Sequence, residues 1–139
     1  MFWKRFPIEY QMDSQDCGPA TLKMIAKYYG KYYSLQYLRD KCGLTKEGVS
    51  LLDLSTGAES IGLHSLALKC TMEELVNKVP FPVIVFWNEN HFVVVYGVTK
   101  KHVLVSDPMK GHVKYTYKEF KKGWYLDEKK EGVLLAIEP

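Results

Sequence analysis

The sequence predicts an α+β fold in which helices from the first part of the chain pack on one side of an antiparallel sheet formed by the second part. Three observations lead there. Apolar residues at helical spacing, framed by cap residues, fill the first third of the chain. Short runs rich in Val, Tyr and Phe, bounded by turn residues, fill the remainder. A length of 139 residues with 47% hydrophobic content suits one domain with a real core.

In order, Gly18 to Tyr29 carries Ala20, Ile25, Ala26 and Tyr29 at helical spacing, and Gly30 stops the helix. Ser34 caps a second helix through Lys41, with Gly43 after it. Ser50-Leu51-Leu52-Asp53 is a capping box for a third, which places Leu54, Ala58 and Ile61 on one side and ends at Gly62. His64 to Cys70 alternates like a strand. Thr71-Met72-Glu73-Glu74 opens a short helix that closes before Pro80. Strands then follow at Val83–Trp87, Phe92–Val98, His102–Ser106, Val113–Tyr117 and Val133–Ile137. Turns fall at Asn88-Glu89-Asn90, Lys100-Lys101 and Gly111, and Tyr117 to Lys122 forms one helical turn. The expected sheet is a meander, with no linker and no internal repeat.

Charge excludes some functions. The net charge is +3, and the basic residues are scattered. The densest run, Lys118 to Lys130, is broken by Glu119, Phe120, Asp127 and Glu128, so it reads as a solvated helix face and loop rather than a nucleic-acid surface. Cysteines stand only at 17, 42 and 70, an odd number without paired spacing, which points to a reducing compartment. Phe2-Trp3 runs straight into Lys4-Arg5, so no signal peptide is visible. Apolar runs such as Val83–Trp87 fall far short of the roughly 20 residues a membrane helix needs. The chain reads as a soluble cytosolic domain. It has no Cys-x-x-Cys pair, no His-Glu-x-x-His and no Gly-rich phosphate loop, so neither a metal nor ATP nor another cofactor is expected in it.

The candidate chemistry lies elsewhere. Cys17 stands between Asp16 and Gly18-Pro19-Ala20, at the start of the first helix. A helix N-terminus carries partial positive charge and free N–H groups, and both favour a thiolate. Pro19 suits the first turn, and Gly18 reads as room for a substrate backbone. Cys42 ends a helix and Cys70 ends a strand, and both read as inert buried thiols. Gln11 lies six residues before Cys17, across a polar loop that can fold back. Its amide and the Cys17 N–H would then form an oxyanion hole. Gln15 competes for that part, and spacing does not exclude it.

Among four histidines, His64, His102 and His112 lack an acidic or thiol partner in the sequence and read as surface or strand-edge residues. His91 follows the Asn88-Glu89-Asn90 turn and opens the most apolar strand. Pairing outward from the turn near Lys100 sets His91 opposite residues 107 to 109. Asp107 can therefore meet it at one end of a hairpin and fix its tautomer and orientation.

Gln11-x5-Cys17-Gly18-Pro19-Ala20, then His91-Phe92-Val93-Val94-Val95-Tyr96-Gly97, then Asp107-Pro108 resemble the C39 family of bacteriocin-processing peptidases. Leu22-Lys23-Met24-Ile25 and Tyr28-Tyr29-Gly30 extend the likeness, which covers about Phe6 to Ile137. The resemblance implies a papain-like fold and a cysteine endopeptidase that cleaves leader peptides after Gly-Gly or Gly-Ala. Motif matching places the nucleophile on Cys17, the base on His91, its orienter on Asp107 and the oxyanion donor on Gln11. Residues 1–139 would form one peptidase domain, the N-terminal cytosolic part of a longer ABC transporter at the bacterial cell membrane. Its partners would be a leader peptide with an amphipathic helix and a Gly-Gly end, and the transporter's own transmembrane and ATP-binding, nucleotide-binding domains. Two other readings stand beside this one: a non-catalytic leader-binding module, which the retained Cys17 disfavours, and another papain-like acyltransferase.

Overall fold

The computed structural model describes residues 6–126, 128 and 130–139; Phe2 to Arg5 and Asp127, used above, lie outside them. Helices α1 (Cys17–Tyr28), α2 (Leu35–Cys42) and α3 (Leu51–Ser60) come first, followed by β1 (His64–Cys70) and α4 (Met72–Lys78). Strands β2 (Val83–Trp87), β3 (His91–Val98), β4 (His102–Asp107) and β5 (Gly111–Thr116), helix α5 (Tyr117–Trp124) and β6 (Gly132–Glu138) complete the chain.

Local sequence fixes most helix ends. Ser34 accepts the Tyr37 N–H and Gly43, at φ 67°, closes α2. Reciprocal capping boxes join Ser50 to Asp53 and Thr71 to Glu74, as the sequence predicts. A third box, Thr116 with Glu119, opens α5, which runs for 8 residues rather than one turn.

All six strands form one antiparallel sheet in the order β1-β6-β2-β3-β4-β5. Strands β2 to β5 are the expected meander, but β6 leaves it and inserts between β1 and β2. The side chains explain this. Leu134 and Leu135 are both fully buried, on opposite faces, so β6 needs cover on both sides. By contrast β1 exposes Leu66 and Leu68 and takes the edge. Its Ser65 N–H and Oγ bind Glu59 Oε2 at 2.7 and 3.0 Å.

Helices cover both faces, not one. Leu22, Met24 and Ile25 of α1, Leu38 of α2 and Leu54 of α3 pack against Ile84, Phe92, Val94 and Leu135. On the opposite face Leu75 of α4 and Phe120 and Trp124 of α5 pack against Val83, Val85, Val93, Val105 and Leu134. The second layer follows from strands whose successive residues are all apolar, because a one-sided sheet would leave half of them in water.

Ahead of α1 the chain is strapped along β4 and β5. Ser106 Oγ donates to the Pro7 carbonyl at 2.9 Å, and His112 Nε2 lies 2.6 Å from the Phe6 carbonyl. Phe6 stacks on Tyr96 at 5.1 Å. His112 lies on the edge strand β5, as the sequence reading expects, and is tied there to the Phe6 carbonyl. The Gln11 N–H then donates to the Pro108 carbonyl at 2.9 Å, which sets Gln11 beside the turn after β4.

Candidate active site

Cys17 is the first residue of α1 and is buried against the sheet among Phe92 and its neighbours. His91 is the first residue of β3 and Asp107 the last of β4. The β3–β4 register shifts between Val95 and Gly97, so that Val94 faces Ser106. This bulge sets His91 near residue 109 and lets the two side chains meet on a diagonal, as the hairpin count predicts. His91 Nε2 lies 2.8 Å from Asp107 Oδ1, and the Met109 N–H donates to the same oxygen at 2.8 Å. Cys17 also acts on the ring, favouring its protonated form.

Electrostatics follow from these contacts. Burial disfavours charge on His91, but hydrogen bonds to Asp107 and Cys17, with their negative charge, outweigh it and raise its pKa to about 9. Burial likewise pushes the Asp107 carboxyl up, yet the imidazole and the Met109 N–H hold it below its ordinary value. Burial raises the Cys42 thiol to about 12 and the Cys70 thiol to about 11. Both stay protonated near neutral pH and are poor nucleophiles.

The turn before His91 is built to hold it. Asn88 and Glu89 adopt positive φ of 49° and 61°. The Asn90 N–H closes the turn on the Trp87 carbonyl at 3.2 Å, and the Asn88 N–H anchors it to the Gly123 carbonyl at 2.8 Å.

Two pockets meet at this site and share Ser14 and Asn90. One, of about 440 Å³, contains Cys17, Gln15, Gly48, Val49, Phe86 and Phe92. The other, of about 390 Å³, contains Gln11, His91, Asp107, Met109 and Lys110. Phe86 and Phe92 lie 5.3 Å apart and wall the first pocket, narrowing it beside the thiol.

Gln11 and Gln15 thus occupy opposite halves of the cleft. Gln11 Nε2 donates to the Asp13 carbonyl at 3.0 Å, while its Oε1 is buried without a hydrogen-bond partner. Gly18 does not serve the purpose first read into it. A Cβ there would lie 2.3 Å from Val49 Cγ2 and 3.1 Å from Leu54 Cδ2, so its bareness lets α1 approach α3. Sequence reasoning also passed over Asp16. This wholly buried carboxylate forms an ion pair with Arg39 of α2 at 2.7 Å. Its place beside Cys17 was a signal, but its partner is 23 residues away.

The chain is similar to proteins of known sequence and structure. The lactococcin-G-processing and transport ATP-binding protein LagD of Lactococcus lactis is 35% identical over 95% of this chain, which spans 19% of that protein. The colicin V secretion/processing ATP-binding protein CvaB of Escherichia coli is 32% identical over 98% of the chain, or 18% of its own length. The chain therefore covers about a fifth of these relatives. A double glycine motif protease from an AMS/PCAT transporter, solved with its leader peptide, superposes with a TM-score of 0.90 at 33% identity, over 97% of this chain and 92% of that one. The peptidase domain of Streptococcus ComA superposes with a TM-score of 0.87 at 27% identity, over 97% and 99%. The fold is that of these peptidase domains, and with the C39 sequence pattern matching residues 5–134, the chain belongs to the Peptidase C39 family.

Proposed function

We propose that the chain is one cysteine endopeptidase domain that cleaves leader peptides after a Gly-Gly or Gly-Ala pair, maturing bacteriocin or signalling peptides for export. The observation that carries this reading is the 2.8 Å His91–Asp107 pair set with Cys17 at the junction of two pockets. The Cys17 thiolate attacks the carbonyl carbon of the second small residue. The Gln11 amide and the Cys17 N–H hold the oxyanion that forms. As the C–N bond breaks, the His91 imidazolium gives its proton to the leaving amine and a thioester remains on Cys17. His91 then takes a proton from water, whose oxygen displaces the thiolate and frees the leader as a carboxylate. Asp107 keeps the imidazole turned toward the thiol throughout.

Proton delivery assigns the two halves of the cleft. The acyl part stays on Cys17, so the leader's end occupies the pocket walled by Phe86, Phe92 and Val49. The amine leaves toward His91, so the cargo occupies the pocket with Met109 and Lys110. Aromatic walls beside the thiol favour residues without side chains, which accounts for glycine at the cleaved pair. An amphipathic leader helix in an apolar groove would supply the remaining affinity. The leader-bound double glycine motif protease, at 33% identity, supports this substrate class. The processing and transport proteins among the relatives support a place in an ABC transporter, on the cytoplasmic side, beside its transmembrane and nucleotide-binding domains. Among the described residues no helix is long and apolar enough to cross a membrane. The test is incubation with a leader peptide ending in Gly-Gly, followed by mass spectrometry. Cleavage after the pair by the parent and none by Cys17→Ala is expected; equal cleavage by both would overturn the reading.

A further inference from the structure

An aspartate just before a helix normally caps it, with its side chain accepting an N–H of the first turn. Asp16 holds that place ahead of α1 yet makes no such bond. Its carboxylate turns away from the helix and accepts four N–H groups instead. Arg39 supplies two of them, Nε to Oδ1 at 2.9 Å and Nη2 to Oδ2 at 2.7 Å. The Met12 and Asp13 N–H groups supply the others, to Oδ2 at 3.3 and 3.1 Å. The loop closes on itself through the Asp16 N–H and the Asp13 carbonyl at 3.1 Å. That same carbonyl receives the Gln11 side-chain amide at 3.0 Å. A continuous series of bonds therefore runs from Arg39 through Asp16 and Asp13 to Gln11.

We propose that Asp16 and Arg39 are positioning residues of the peptidase: their ion pair holds the loop that aims Gln11, and Arg39 cancels a buried negative charge next to Cys17. The proposal rests on the reading of Cys17 as nucleophile and Gln11 as oxyanion donor. A carboxylate beside a thiolate opposes it, since like charges in a site of low polarity repel strongly. The guanidinium removes that opposition while remaining outside both pockets of the cleft. Its fork, bound to both carboxylate oxygens, also fixes the direction of the carboxylate, which a single bond would not do.

The test measures two rates on the whole chain at neutral pH: cleavage of the Gly-Gly leader peptide, and alkylation of Cys17 by iodoacetamide followed by mass spectrometry. Alkylation reports thiolate without needing the oxyanion donor. Arg39→Met should slow both, with kcat down about 100-fold, the scale of an ångström's misplacement. Its KM should stay within about twofold, because ground-state binding is untouched. Adding Asp16→Asn removes both charges, so alkylation should recover while kcat stays low for want of the tether. Arg39→Lys keeps the charge but loses the fork, and should restore alkylation more than cleavage. If Arg39→Met does not fold, Asp16→Asn and the double variant carry the same comparison. Variants that melt at lower temperature yet keep both rates would overturn the proposal. Cleavage surviving Cys17→Ala would sink the peptidase reading instead, and the alkylation rates would still decide whether Arg39 acts on Cys17.

Discussion

His91 holds its proton to about pH 9 because the charges and hydrogen bonds of Asp107 and Cys17 overcome its burial. The imidazolium is the form that protonates a leaving amine, so cleavage should fall as pH rises through about 9. Asp107→Ala removes one of those supports. The alkaline limb of the kcat/KM profile should then move to lower pH, and kcat should drop about 100-fold or more, as loss of an oriented acid–base group does. An alkaline limb that stays in place would refute this account. The meeting of His91 and Asp107 was legible because both residues end strands of one hairpin, and counting from its turn is a local operation. The Asp16–Arg39 pair was not legible, since it depends on how α1 and α2 pack. Gln11 and Gln15 stayed open in the sequence, and the structure sets them in different halves of the cleft.

Element by element, what reads well is what is decided within a few residues. The capping boxes at Ser50 and Thr71 and the stop at Gly43 follow from local hydrogen bonds and backbone freedom. Gly18 misled because a glycine beside a nucleophile suggests room for substrate, whereas the space it clears is filled by Val49 and Leu54. Gly18→Ala should therefore cost about 1–3 kcal/mol, the usual range for overpacking, read as a lower urea midpoint. A variant as stable as the parent would show that α3 can yield. The place of β6 also escaped, because pairing between distant strands leaves no mark in local spacing. Its doubly buried leucines are the one clue, and they argue for the interior of a sheet without naming its neighbours.

For the whole molecule, the shifted groups set limits on stability. His91 is raised from 6.5 to about 9, so its contribution is complete below about 6.5 and is lost as pH climbs through 9. Asp16 and Asp107 are lowered from 3.8, so theirs is present above that value and fades as pH falls below it. Urea midpoints should form a plateau between these limits and decline on both sides; a midpoint still rising above pH 9 would contradict the sign for His91. The rim of the sheet carries a different consequence. Leu66 is 60% exposed on β1, whose outer side pairs with no strand among the described residues. Such a rim templates self-association unless something blocks it. The Glu59 carboxylate occupies the Ser65 N–H there and brings a charge with it. Glu59→Ala should therefore make the protein's light scattering grow with concentration while its helix and strand content stays the same; scattering like the parent's would show that the Glu59–Ser65 contact does not block the rim.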